Sequence, residues 1–200
     1  MNLSNQLLLL IFCLFYFGIT FILMSYLVSR RIKKNPLVLP QNDTPYGIVG
    51  KYFKLIIILL FTYVVMINIT PSISIYYPDF SLMKSNIMVF IGFSVMFISL
   101  TLTIISQITM SNSWRIGIDL DKKTELITMG IFNYSRNPIF LGMVLFMSGI
   151  FLVTPNVLIL MIVLLGFILI EFQVRLEEEF LEKQFGEEYI KYKKEVRRYI

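Results

Sequence analysis

Four stretches without a single Asp, Glu, Lys or Arg decide where this chain can fold: Met1 to Ser29, Leu55 to Pro78, Ser85 to Trp114 and Asn137 to Ile170. Each can hold at least one span of the ~20 apolar residues that a helix needs to cross a bilayer. The chain is 56% hydrophobic with a mean hydropathy of +0.74, above the ~45–50% of a soluble globular domain. The expected fold class is therefore an all-α integral membrane protein.

The last gap is 34 residues long, too long for one ordinary span, and Thr154-Pro155-Asn156 inside it favours a turn. It reads as a hairpin of two short helices. Five spans result: about Leu7 to Val28, Phe53 to Ile69, Ile87 to Met110, Pro138 to Val153 and Val157 to Phe172. Because Lys and Arg near span ends stay on the cytoplasmic side, orientation follows from the cations. With five spans, every one of the 18 Lys and Arg except Lys84 falls on one side. The expected topology has the amino terminus outside and the tail in the cytoplasm. Reading Asn137 to Ile170 as one span would send the cationic tail outside. Met1 to Gln6 lacks the positive region of a secretion signal, and no small-residue cleavage site follows, so the first span is expected to be a retained anchor.

Several function classes drop out. Cys13 is the single cysteine and there is no histidine, which leaves no internal disulfide, cysteine cluster, or ordinary zinc or haem site; no metal is expected. The net charge of +5 raises nucleic acid as a partner, but the cations follow membrane topology. They also sit among Glu177, Glu178, Glu179, Glu182, Glu187 and Glu188, so anchoring to anionic membrane lipid is the expected role and nucleic acid is not.

The first three spans, residues 1–110 with the first loop, carry nothing polar enough to line an ion path and no internal repeat. Tyr76, Tyr77 and Phe80 of the external loop suit a membrane interface, and "KKNPLVLPQNDTPYG" reads as an irregular linker. Residues 111–200 are more specific. "SNSWRIGIDLDKKTELITMGIFNYS" is longer than a helix connection needs and holds the single Trp, Trp114, beside Arg115. The tail continues from span five without a helix breaker until Gly186, and Phe172, Leu176, Phe180, Phe185, Tyr189, Tyr192, Val196 and Tyr199 give it an amphipathic face. Glu171, Arg175 and Glu178 are spaced for local ion pairs, while Glu179, Glu182 and Lys183 read as a solvated face.

The hairpin forces "NYSRNPIFLG", Asn133 to Gly142, against the start of the tail. Pro138 opens a helix where its missing N–H costs nothing, leaving Arg136 and Asn137 at an amino terminus suited to a carboxylate or phosphate. Gly142, one turn in, admits a close approach by another helix or a ligand. Tyr134, Arg136, Asn137, Glu177 and Glu178 thus gather at the mouth of an apolar hairpin. Two readings stand at this point: a site for a zwitterionic, hydroxyl-bearing small molecule, or interfacial anchoring.

The ordered motifs "ITMGIFNYSRNPIFLG" and "RLEEEFLEKQFGEEYIKYKKEVRRYI", from roughly Leu126 to Ile200, resemble the integral-membrane methyltransferases that include isoprenylcysteine carboxyl methyltransferase and the phospholipid methyltransferases. The resemblance implies S-adenosylmethionine as cofactor, bound between hairpin and tail, and a lipophilic methyl acceptor arriving from the bilayer, isoprenylcysteine-carboxylate-like or a lipid. It places Tyr134, Arg136, Asn137, Pro138, Gly142, Glu177 and Glu178 in the cofactor site, with Arg136 and Glu178 as the catalytic candidates, and residues 111–200 as the methyltransferase core. Asn137 stands where many relatives have His; Asn binds but does not shuttle protons at neutral pH. Methyl transfer from a sulfonium needs alignment and water exclusion rather than a covalent intermediate. The rival readings are an NADPH-dependent reductase of the sterol reductase type, which needs more cationic provision for its extra phosphate, and a non-enzymatic protein in which Arg136 and the Glu pair clamp the hairpin.

Overall fold

The computed structural model describes residues 3–33, 44–70, 76–114 and 125–200. The expectations for most of "KKNPLVLPQNDTPYG" and for Arg115 to Thr124 lie outside the described residues. Among these residues seven α-helices follow in order: α1 (Leu3–Phe17), α2 (Met24–Ile32), α3 (Pro45–Ile69), α4 (Asn86–Met110), α5 (Pro138–Val153), α6 (Val157–Phe185) and α7 (Glu187–Glu195). A π-helical stretch, Gly18–Leu23, joins α1 to α2, so Leu3–Ile32 forms one continuous 30-residue rod. No strand occurs among the described residues.

Helix starts are written locally. Thr44 caps α3 by accepting from the Gly47 N–H at 3.3 Å, Ser85 caps α4 through Met88 at 3.2 Å, and Asn156 caps α6 through Ile159 at 3.0 Å. Each side chain satisfies a donor that the first turn leaves open. Pro138 opens α5, as its position in the sequence predicts. The turn Thr154 to Asn156 separates α5 from α6 where the hairpin reading puts it, and it is pinned from outside. Phe80 N–H donates to the Pro155 carbonyl at 3.1 Å, and Val157 N–H to that of Pro78 at 2.9 Å.

Among the described residues, four apolar helices are long enough to cross a membrane: Leu3–Ile32, Pro45–Ile69, Asn86–Met110 and Val157–Phe185. The fifth expected span, α5, has 16 residues, about 24 Å at 1.5 Å per residue and short of the ~30 Å hydrocarbon thickness. The 29 residues of α6 overshoot that thickness. Its charge-free part ends at Ile170, and the turns from about Phe172 onward lie past it. The Leu3 end of α1 sits at the hairpin turn, where Asn68 Nδ2 donates to the Gln6 carbonyl at 3.1 Å and Asn68 lies one residue from the end of α3. The tail lies at the other end of the bundle, beside Arg136.

Lipid tails are as apolar as leucine, so close backbone approach and buried hydrogen bonds must hold such helices together. The α4–α5 pair does this. A Cβ on Gly92 would stand 2.8 Å from the Gly149 carbonyl oxygen, and a Cβ on Gly149 2.8 Å from that of Gly92. Ser99 Oγ donates to the Gly142 carbonyl at 2.7 Å. Tyr16 joins from α1, its hydroxyl 3.2 Å from Thr103 Oγ1 and its ring stacked 3.8 Å from that of Phe146. The π-helical stretch that periodicity does not reveal has its own partner: Gln107 Nε2 donates to the Thr20 carbonyl at 2.8 Å. Side chains that enter the helix ladder commonly accompany such local changes of winding.

Gly149→Ala is expected to destabilise the bundle by about 1–3 kcal/mol, the usual range for overpacking. Gly18→Ala, where an added Cβ meets nothing within 4 Å, is expected to leave it unchanged. Thermal melting in detergent compares the two.

Candidate active site

Glu178 is the centre of the tail-end corner. It is 3% exposed, too deep for a lone carboxylate, and three side chains meet its charge. Arg136 donates through Nε at 3.3 Å and Nη2 at 2.9 Å to Oε1, Asn137 Nδ2 donates to the same oxygen at 3.2 Å, and Arg198 reaches Oε1 through Nε at 3.2 Å and Oε2 through Nη2 at 2.8 Å. The two guanidinium groups outweigh the burial and hold the Glu178 carboxyl below the usual carboxylate range. Arg175, which helical spacing also offers to Glu178, stands 3.9 Å from Glu171 instead.

The backbone joins the same knot. Arg136 N–H donates to the Arg197 carbonyl at 3.0 Å and Asn137 N–H to that of Arg198 at 3.2 Å. Arg136 Nη1 donates to the Lys193 carbonyl at 3.1 Å and to that of Val196. The donors before α5, which the sequence leaves free for an anion, are thus taken by the carboxy-terminal segment. Of the five guanidinium N–H groups, Arg136 spends four within the protein.

On the other side of this knot lies a cavity of about 100 Å³. Arg136, Asn137, Pro138 and Glu177 line it, with Tyr189 and Tyr192 from α7 and an apolar wall that includes Phe132 and Phe180. Tyr192 is fixed by its hydroxyl donating to the Phe132 carbonyl at 2.7 Å. The Tyr189 hydroxyl is buried, its residue 1% exposed, and stands near the Arg136 guanidinium without a well-formed hydrogen bond to any described residue. Glu177 lies beyond the apolar part of α6. Loss of hydration and then repulsion from Glu178 push its carboxyl up to about 7.

Of the residues expected at the site, Arg136, Asn137, Pro138 and Glu177 therefore share a cavity, and Glu178 braces it from behind. Tyr134 and Gly142 stand apart. Tyr134 is 76% exposed and does not line the cavity. Gly142 faces α4, where an added Cβ would meet Thr103 and the Ser99 carbonyl; the close approach it permits is that of a helix. Sequence reasoning missed Arg198, Tyr189 and Tyr192 as parts of the corner. The tyrosines were visible as an amphipathic face, but Arg198 looked like one more tail cation. Glu179 and Glu182 behave as the solvated face expected, paired with Lys183 at 2.5 Å and Lys193 at 3.0 Å on the surface.

A family model described as phospholipid methyltransferase matches residues 87–188, just over half of the chain. The chain belongs to the phospholipid methyltransferase family. No curated protein and no solved structure matches it. As a member of that family the chain is a membrane methyltransferase. The match begins one residue into α4 and ends at Glu188, so it contains every expected site residue, while Arg198 lies beyond it.

Removing one partner of a buried ion pair strands the others and typically costs about 3–5 kcal/mol. Glu178→Gln is expected to lower stability by that order, and Glu182→Gln by less than about 1 kcal/mol, as for exposed pairs; melting in detergent reads both. Glu177 has the opposite sign of pH dependence to its neighbour. Its raised carboxyl pKa favours folding below the unfolded value near 4.5, and that contribution is lost as pH rises through about 7. Between pH 5 and 8, Glu177→Gln is expected to remove a fall in stability of about 2 kcal/mol.

Proposed function

We infer that this phospholipid methyltransferase family member uses S-adenosylmethionine to methylate a lipophilic acceptor, in the cavity formed by Arg136, Asn137, Pro138, Glu177, Tyr189 and Tyr192. The observation that carries the reading is that a buried hydroxyl without a well-formed hydrogen bond, Tyr189, shares this cavity with the Glu177 carboxylate. Both invite a ligand that brings hydrogen-bond donors and a positive charge. S-adenosylmethionine brings an ammonium, ribose hydroxyls and a sulfonium, and the aromatic walls add attraction for the cation. The remaining Arg136 N–H is the donor nearest to hand for its carboxylate, since both N–H groups of the Asn137 amide are spent on Glu178 and the Arg198 carbonyl. The cavity is smaller than the ~300–1,000 Å³ of small-molecule sites, so binding widens it.

When bound, the cofactor supplies a methyl group on a sulfonium, which leaves by in-line displacement. The residues align the partners and keep water out. Arg136 and Glu178 act together, the carboxylate holding the guanidinium at the cavity wall. Glu177, with a carboxyl pKa of about 7, is suited to take the proton of an amine or thiol acceptor, which Asn137 cannot do. The acceptor enters from the bilayer between apolar helices, and the cation distribution puts this end of the bundle, with the tail, in the cytoplasm. Residues 111–200 supply the core, seated against α4.

NADPH is the poorer fit. Arg136 is the one cation lining the cavity among the described residues, and its charge is already met by Glu178, which leaves nothing for the extra phosphate.

Calorimetric titration of the nanodisc-embedded protein with S-adenosylmethionine, with NADPH in parallel, tests the reading. Saturable binding of the first alone is expected. Arg136→Ala and Glu178→Ala should each weaken it at least tenfold, about 1.4 kcal/mol, with Glu182→Ala unchanged and melting checked for each variant. Equal effects at all three positions would sink the site assignment, and folded protein that binds neither compound would leave the Arg136–Glu178 knot a purely structural clamp.

A further inference from the structure

A second cavity, of about 380 Å³, opens at the other end of the bundle, around the α5–α6 turn. Pro138 lines the tail-end cavity and Val153 this one; the 16 residues of α5 put about 22 Å between them at 1.5 Å per residue. That is too far for anything held here to meet a methyl group at Glu177. The cavity is not a plain apolar gap. Asn156 Nδ2 donates to the Tyr63 hydroxyl at 2.6 Å, Lys84 and Asp79 form an ion pair at its edge, and Gln6, 5% exposed, lines it and carries a buried Oε1 that has no hydrogen-bond partner among the described residues.

These groups define a ligand. The Asp79–Lys84 pair is neutral as a unit, so a ligand of one charge sign alone meets as much repulsion as attraction. Gln6 Oε1 accepts, and so asks for a donor. Lys84 uses one of its three N–H groups on Asp79 and keeps two for an anion. The level in the membrane is set by the same connection. Leu82 is 99% and Tyr76 81% exposed, side chains that sit well at the lipid–water boundary and poorly in water. The volume equals the share of liquid held by roughly a dozen waters, within the range of small-molecule sites.

We propose that this cavity holds the headgroup of a resident zwitterionic phospholipid, its ammonium at Gln6 and Asp79 and its phosphate at Lys84. The lipid braces the α5–α6 turn from the face opposite to the methyl-transfer site and is not itself methylated. The assignment is independent of the cofactor reading and stands or falls without it.

Native mass spectrometry of the full chain, released from membranes of equal phosphatidylethanolamine and phosphatidylglycerol, tests it. Retention of phosphatidylethanolamine at least fivefold above phosphatidylglycerol is expected, falling at least threefold in Gln6→Leu and in Lys84→Met. Lys84 is half-exposed, so Lys84→Met carries the test should Gln6→Leu fail to fold. Equal retention of the two lipids, preference for phosphatidylglycerol, or retention that neither variant changes would overturn the proposal. The last result would mean a lipid held at the tail-end cavity or around the bundle, with water alone in this one.

Discussion

The buried carboxylate of Glu178 is the contact on which the tail-end corner depends. It belongs to α6, yet its partners come from the entry to α5 and from the carboxy-terminal segment. One charge therefore fixes three segments that share no helix. Arg198 also stands 3.9 Å from Glu171, so two guanidinium groups meet two carboxylates, and the carbonyls of Lys193 and Val196 take up further Arg136 donors. A buried ion pair is weak evidence for stability, because burial costs about as much as attraction returns. Its better attested use is to specify one arrangement among several. Here that arrangement is the tail folded back over the start of α5, which is also what creates the wall of the Glu177 cavity.

Within the apolar layer the logic changes. There is no hydrophobic gain from pressing one greasy helix on another in lipid, so α4 and α5 approach through Gly92 and Gly149 and bond through Ser99 and Gly142. The polar side chains there, Tyr16, Thr103 and Gln107, are buried and bonded across helices. Any of them placed toward lipid would leave a polar group unsatisfied. This packing carries the rigidity of α5 down to Pro138, and so sets where Arg136 and Asn137 stand.

The helices and the hairpin were legible because membrane spans advertise themselves through absent charge, and because Thr154-Pro155-Asn156 breaks the run. The end of α6 at Gly186 was legible too, and that glycine adopts the left-handed φ of 55° that favours its residue type. The π-helical stretch at Gly18–Leu23 was not, since it leaves hydrophobicity unchanged and answers to Gln107, 87 residues away in the chain. At the site, proximity of the Arg136 region to Glu177 and Glu178 followed from hairpin geometry. The role of Arg198 did not: a cation in a basic tail has no local signature, and its partner lies 20 residues back. Gly142 illustrates a further limit, because a small residue signals close approach without naming what approaches.

Glu177 and Glu178 are adjacent in sequence and diverge in every physical respect. Consecutive helical residues point about 100° apart, so one turns into the paired cations and the other toward the aromatic cavity. The first is held ionised by Arg136 and Arg198; the second loses hydration, gains no cation of its own, and feels its ionised neighbour. Two carboxyls pushed to opposite sides of their ordinary value are the arrangement by which one site keeps a fixed charge and a titrating group side by side. A cation entering the cavity would reverse the bias at Glu177, lowering its pKa and releasing its proton on binding. The same carboxylate that anchors the tail thus also raises the affinity of its neighbour for a positive ligand. A doublet of acidic residues achieves this only if the helix presents one to the knot and the other to the cavity.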